Sequence, residues 1–155
     1  MKTTNETVTW ITLPEVRVAS LRYRGRYDEI GASFGRLFRL YGRFATGAPL
    51  ALYHDGEFKE ADADIEACLV LRPGAPAVAR DGAELRTLPA QKVAQVVHRG
   101  PYSEVGAAYQ RVFDFLRSEG ATAVVPSREV YLKGPGMILP RSPKKFITLV
   151  QVPVS

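Results

Sequence analysis

A chain of 155 residues, 46% hydrophobic and 24% charged, has the size and balance of one globular domain or of two small halves sharing a core. The formal charge of +5 comes from ten basic and ten acidic side chains in residues 1–75 and eleven and six in residues 76–155. No helix-turn-helix or zinc-finger pattern gathers the basic residues on one element, so direct nucleic-acid binding is not expected. A single cysteine, Cys68 in the apolar run 67–71, excludes an internal disulfide framework, and two histidines, His54 and His98, leave no histidine-rich metal site. Residues 1–6 lack the apolar core of a signal peptide, and no apolar run approaches the ~18 residues of a membrane span. A cytoplasmic location and no membrane contact are therefore expected.

In chain order, residues 16–23 are β-rich and run into Arg24-Gly25-Arg26-Tyr27, where Gly25 supplies a turn. Asp28 is the expected N-cap of a helix. Ile30, Phe34, Leu37, Phe38 and Tyr41 then follow at steps of four, three, one and three, which places them on one helical stripe. Such a stripe covers a sheet, so these side chains read as core before ligand contacts. Strands are expected over residues 50–54 and 65–71, joined by an acidic loop whose end, Asp64 and Glu66, is expected to face water. Arg22, Arg24 and Arg26 alternate at a strand end and read as a solvated face.

The second half runs the same way. Residues 92–98 are β-rich, Gly100 turns the chain, Ser103 is the expected N-cap, and Val105, Tyr109, Val112, Phe113 and Leu116 form the second stripe. Gly120 is the expected helix C-cap. Strands are expected over 129–132 and 146–152. The connector between them contains Gly134-Pro135-Gly136, which lacks the Gly-Lys-Ser/Thr ending of a phosphate loop.

Shifting the chain by 75 residues turns this parallel into identity at 13 of the 30 ungapped positions from 12 to 41. Among the matches are Leu13-Pro14 with Leu88-Pro89, Arg24-Gly25 with Arg99-Gly100, and Tyr27 with Tyr102. The expected fold is α+β: one domain over residues 1–155, built from tandem β-α-β-β modules at about 8–75 and 83–155. The modules are expected to have pseudo-twofold symmetry, antiparallel sheets, helices on the outside and a ligand cleft between the halves.

Chemistry is sought where the repeat breaks. No Gly-x-Ser-x-Gly or His-Glu-x-x-His motif is present. A shift of 78 pairs Tyr53 with Tyr131 and Gly56 with Gly134, yet sets Glu129 opposite Ala51. Positions two apart on a strand share a face, so Glu129 points with Tyr131, and Ala51 with Tyr53. If that face is the seam, one acid sits among tyrosines, where burial raises its pKa and a ligand cation relieves the desolvation cost. Aromatic faces add cation–π attraction of about 0.5–2 kcal/mol. The alternative is a solvent-facing Glu129 paired with Arg128 or Lys133.

Beyond Leu13-Pro14 and Leu88-Pro89-Ala90, the stretches Arg24-Gly25-Arg26-Tyr27-Asp28-Glu29-Ile30, His98-Arg99-Gly100-Pro101-Tyr102, Arg128-Glu129-Val130-Tyr131-Leu132 and Val152-Pro153-Val154 are distinctive together. Through them the chain resembles, from about Val8 to Val154, the gyrase-inhibitor-like (GyrI-like) family, the effector-binding domain of AraC- and MerR-type multidrug-responsive regulators. The resemblance implies two β-α-β-β modules with a cleft, and a Glu-x-Tyr glutamate, matched by Glu129, facing lipophilic cations at its floor. It implies sequestration or effector sensing for some members, hydrolysis of cyclopropane-bearing genotoxins for others, and contact with DNA gyrase for others.

The first reading is thus a non-enzymatic binding module for a small hydrophobic or cationic, drug-like ligand, with no cofactor and no metal. Glu129 is its charge partner, and Tyr131, Tyr53 and Phe146 are its walls. The second is a hydrolase with Glu129 and Tyr131, or Tyr53, as the catalytic groups. The third is a gyrase partner using Arg22, Arg24 and Arg26. About ten residues precede the first expected strand, too few for a helix-turn-helix, so the chain is expected to be either a stand-alone member or the effector domain of a longer regulator.

Overall fold

The computed structural model describes residues 7–133 and 142–155. Its strands are β1 (Thr9–Leu13), β2 (Val16–Gly25), β3 (Leu50–Tyr53), β4 (Ala63–Val70), β5 (Glu84–Leu88), β6 (Gln91–Arg99), β7 (Ser127–Lys133) and β8 (Ile147–Pro153). The helices are α1 (Ile30–Tyr41) and α2 (Val105–Ser118). The strands form one curled antiparallel sheet, a half-barrel in the order β1-β6-β8-β7-β3-β4-β2-β5. The α+β class is as expected, but there is one sheet, not one per module. β3 and β7 pair at its centre, with Ala51 opposite Glu129, and so satisfy backbone groups that separate modules would leave at two open edges.

Two short strands were not foreseen. β1 pairs with β6, Leu13 opposite Gln91, and β5 pairs with β2, Leu88 opposite Val16. Each leading strand thus closes the edge of the other half.

Partners across a ladder share a face, which sorts the side chains into two layers. Ala19, Leu21, Ala51, Tyr53, Ile65, Ala67, Leu69, Glu129, Tyr131 and Val150 lie on one face. Both helices pack on it. Leu37 and Tyr41 of α1 meet Ala19, Leu21, Ala67 and Leu69, while Ala108, Tyr109 and Val112 of α2 meet Ala51, Val96 and Val150. Small side chains at 19, 51, 67 and 94 let the helices approach closely. The helices were expected on the outside of a cleft between two halves; here both wall the face of the one sheet that carries Glu129. On the other face, Val18, Leu50, Leu52, Cys68 and Leu88 make a separate apolar cluster.

The helix starts also differ from expectation. Tyr27–Glu29 and Tyr102–Glu104 form 3-10 turns, so Glu29 and Glu104, not Asp28 and Ser103, hold the N-cap positions. The Glu29 carboxylate folds back to accept the Arg26 backbone N–H at 3.0 Å. A Cβ on Gly25 would meet that carboxylate at 2.9 Å, so a side chain there would displace the Glu29 carboxylate from its present position. Phe38 is 39% exposed although its stripe was read as core, because it lies at the edge of the apolar arc centred on Leu37 and Tyr41. Gly120, at φ +67°, closes α2 as expected, with the Ala121 N–H donating to the Leu116 carbonyl at 2.9 Å.

Candidate functional site

Strand alternation sends Glu129 from the centre of the sheet into the layer beneath the helices, where it is 0% exposed. Three phenols converge on it. Tyr27, on the 3-10 turn after β2, donates to Oε1 at 2.6 Å. Tyr131, two residues along β7, donates to the same oxygen at 2.9 Å. Tyr109 of α2 donates to Oε2 at 2.6 Å. Tyr53 of β3 reaches the group indirectly, its hydroxyl 2.8 Å from that of Tyr131.

More aromatic rings hold these phenols in place. Tyr27 stacks on Tyr53 with centroids 5.6 Å apart, and Phe58 stacks on Tyr109 at 5.5 Å. Tyr102 packs edge-on against Tyr131 and lies 4.9 Å from Phe146. Phe34 of α1 meets Tyr131 edge-on. A cavity of about 360 Å³ opens beside the cluster, with Tyr53, Phe58, Tyr109, Phe113, Val124 and Val152 on its walls. Tyr109 both lines this cavity and bonds the carboxylate, and Tyr53, also in the lining, reaches it through Tyr131.

Burial pushes the Glu129 carboxyl above its ordinary value, and the hydrogen bonds from Tyr109, Tyr27 and Tyr131 only partly offset this. Burial first, and the Glu129 charge second, push Tyr27, Tyr53, Tyr109 and Tyr131 well above the usual phenol range, so all four remain proton donors. Among the described residues no cation forms an ion pair with Glu129. The arrangement is a desolvated acid that phenol dipoles stabilise without neutralising its charge.

Of the residues expected at the site, Glu129, Tyr131 and Tyr53 are brought together. Phe146 stands one ring further out, behind Tyr102. The solvent-facing alternative for Glu129 does not occur, because Arg128 points from the opposite face of β7. Tyr27 and Tyr109 were missed as site residues. The signal for Tyr109 was its hydroxyl: the repeat has Phe34 at the matching position, and a phenol in a core stripe needs a partner.

Glu66 was expected to face water and does not. It is 2% exposed on the opposite face of the sheet, where Arg86 of β5 grips it at 2.8 and 2.7 Å and His54 lies 2.9 Å away. Burial pushes its carboxyl up, but the hydrogen bonds from His54, Arg86 and Ser20 outweigh burial and hold it well below the usual carboxylate range. Asp64 is half-buried and takes a two-pronged bond from Arg22 at 2.8 Å. Arg22, Arg24 and Arg26 are exposed as expected, each beside an aspartate: Asp64, Asp62 and Asp28. Among the described residues no cluster of His, Cys, Asp and Glu is arranged to hold a metal ion, and no helix is long and apolar enough to cross a membrane.

Comparison with known proteins places this geometry in a family. Residues 6–155 match the profile of the GyrI-like small molecule binding domain, and the chain belongs to that family. No curated protein sequence matches. Among solved structures, the EcmrR C-terminal domain superimposes with a TM-score of 0.81 at 22% identity, over 97% of this chain and 98% of that one. EcmrR has also been solved in a DNA complex, where this chain spans 57% of its length at 23% identity and a TM-score of 0.78. A hydrolase from Listeria innocua superimposes at 0.69 with 15% identity, over 98% and 93% of the two chains. SAV2435 bound to tetraphenylphosphonium superimposes at 0.61 with 15% identity, over 96% and 94%.

Proposed function

We propose that this GyrI-like domain binds a lipophilic, drug-like cation against the Glu129–tyrosine cluster, either to sequester it or as the effector-sensing part of a transcription regulator. The observation that carries this reading is the fully buried Glu129 carboxylate, which among the described residues has phenol donors but no cation for a partner. A ligand cation would supply the missing charge, and the faces of Tyr53, Tyr109 and Phe58 would supply cation–π attraction and apolar contact. Contact with the carboxylate itself requires one phenol to swing aside. The structure of SAV2435 with tetraphenylphosphonium supports the ligand class, and the EcmrR–DNA complex supports the regulator role.

The cleft falls where two copies of one unit would meet. Leu13 opposite Gln91 becomes, 75 residues on, Leu88 opposite Val16. Leu50 opposite Val130 becomes, 78 residues on, Arg128 opposite Leu52. Under the same shift the Ala51–Glu129 pair maps onto itself, which supports a duplicated chain with its pseudo-twofold axis at that pair.

The hydrolase structure from Listeria innocua keeps a second reading in play, with Glu129 as general base and a tyrosine as acid. Such a base needs a free lone pair aimed at water. Here Oε1 takes two phenols and Oε2 takes one, which favours holding a charge over activating water.

Calorimetric titration with tetraphenylphosphonium, and with neutral triphenylphosphine oxide as control, tests the proposal. Glu129→Gln is expected to weaken the cation by about 2–5 kcal/mol and leave the neutral compound unchanged. Equal affinity of wild type and variant for the cation would refute it. Many turnovers of a strained-ring electrophile, abolished in Glu129→Gln, would instead establish the hydrolase.

A further inference from the structure

Arg128 precedes Glu129 on β7 and so projects from the opposite face of the sheet, where Leu52 and Gln151 are its ladder partners. It is 5% exposed, and its Nε is buried without a hydrogen-bond partner among the described residues. Gln151 gives its amide to Gln95 at 2.7 Å, and its Oε1 has no hydrogen-bond partner among the described residues. No carboxylate among the described residues pairs with Arg128. Burial lowers its pKa, and what opposes that shift is the buried Cys68 thiol rather than a carboxylate. Arg86 shows what this face does when an acid is available, since both its prongs are taken by Glu66. A buried guanidinium left unpaired is costly, and the cost falls when an anion arrives.

A cavity of about 510 Å³ opens onto Arg128. Its polar end holds Arg86, His54 and Glu66, already bonded to one another, and its wall is apolar, formed by Leu52, Leu88 and Pro126 among others. Arg22 and the exposed Glu84 also line it. Of the three arginines in the lining, Arg86 is taken by Glu66 and Arg22 by Asp64, so among the described residues Arg128 is the one left to match a single negative charge. A dianionic phosphate would be opposed by Glu66 and Glu84. A carboxylate presents two oxygens in the plane that a guanidinium fork accepts.

We propose that this face carries a second binding site, separate from the Glu129 cluster, for a small monocarboxylate with an apolar body whose carboxylate sits on Arg128. The apolar wall takes the body, and Arg128 gains the partner that the described residues do not provide.

Titration of 15N-labelled protein with 1-naphthoate, followed by NMR, tests this, with 1-naphthalenemethanol as the neutral match. Saturable shifts are expected at the Arg128 Nε–H and at the amides of Leu52 and Arg128. Affinity is expected to fall at least about tenfold for the alcohol. Arg128→Met and Arg128→Gln should abolish the naphthoate response, whereas Glu129→Gln should retain it. The alcohol binding as tightly as the acid would overturn the proposal. So would shifts confined to Tyr53 and Tyr109, or the absence of a saturable response. If neither Arg128 variant folds, the comparison of acid and alcohol on the wild type decides alone.

Discussion

Tyr109→Phe tests the logic of the Glu129 cluster with little steric change. The ring stays stacked on Phe58, and what is lost is the 2.6 Å bond to Oε2. A hydrogen bond to a neutral acid contributes about 0.5–1.5 kcal/mol, and one to a carboxylate about 1.5–3 kcal/mol. The penalty should therefore depend on the protonation of Glu129. Its folded pKa is raised, so the stability it contributes is complete below the unfolded value and is lost as pH rises through the folded value. Removing Tyr109 takes away a donor that lowers this pKa, so it rises further, and each additional unit adds about 1.36 kcal/mol to that loss. Urea unfolding of wild type and variant across acid and alkaline pH should show a penalty of about 1 kcal/mol in acid, growing to about 2–3 kcal/mol above the Glu129 titration. In a Glu129→Gln background the growth with pH should vanish. A penalty that stays the same at every pH, or persists unchanged without the carboxylate, would refute the reasoning.

On the opposite face the sign reverses. Glu66 titrates below its unfolded value, so its stabilisation is present above that value and is lost as pH falls; Glu66→Gln should flatten the acid limb of the stability curve measured by urea unfolding. The expected loss at neutral pH is about 2 kcal/mol, less than for a fully buried pair because the Arg86 side chain is 37% exposed. Ala51→Glu would set a second buried acid directly opposite Glu129, at a typical cross-strand separation of about 4.5–5.5 Å. It should cost more than about 3 kcal/mol at neutral pH and less in acid, as thermal melts at the two pH values would show.

The repeated strand–turn–helix was legible because each half has a long, strongly periodic signal: a β-rich run, Arg-Gly-x-Tyr, then a stripe from Ile30 or Val105. β1 and β5 were not legible. Thr9–Leu13 and Glu84–Leu88 are five residues each, and the partner of each lies in the other half. That omission explains the misplacing of Glu66, whose counter-charge, Arg86, stands on β5. Glu129 was legible as the one acid facing an alanine in otherwise matching strands. Tyr27 and Tyr109 were not, because periodicity assigns a side chain to a face but does not say which other elements converge on that face.

Arg128 and Glu129 are neighbours in sequence, and a surface loop would let them neutralise each other. On a central strand they cannot, because the peptide plane between them sends one to each side of the sheet. Each buried charge must then find its compensation within its own layer. Above the sheet, phenols come from the 3-10 turn after β2, from α2 and from β7 itself, and they can stabilise an anion without cancelling it. Below it, the buried acid of the cavity, Glu66, is already held by Arg86 and His54, and Glu84 is exposed. Alanine at position 51 belongs to the same logic. Position 51 is the only one directly across the ladder from Glu129 on β3, and a side chain there with its own charge or hydrogen-bonding needs would compete with Tyr27 and Tyr109 for the carboxylate. A methyl group leaves the acid to the phenols and, on the reading proposed above, to the ligand.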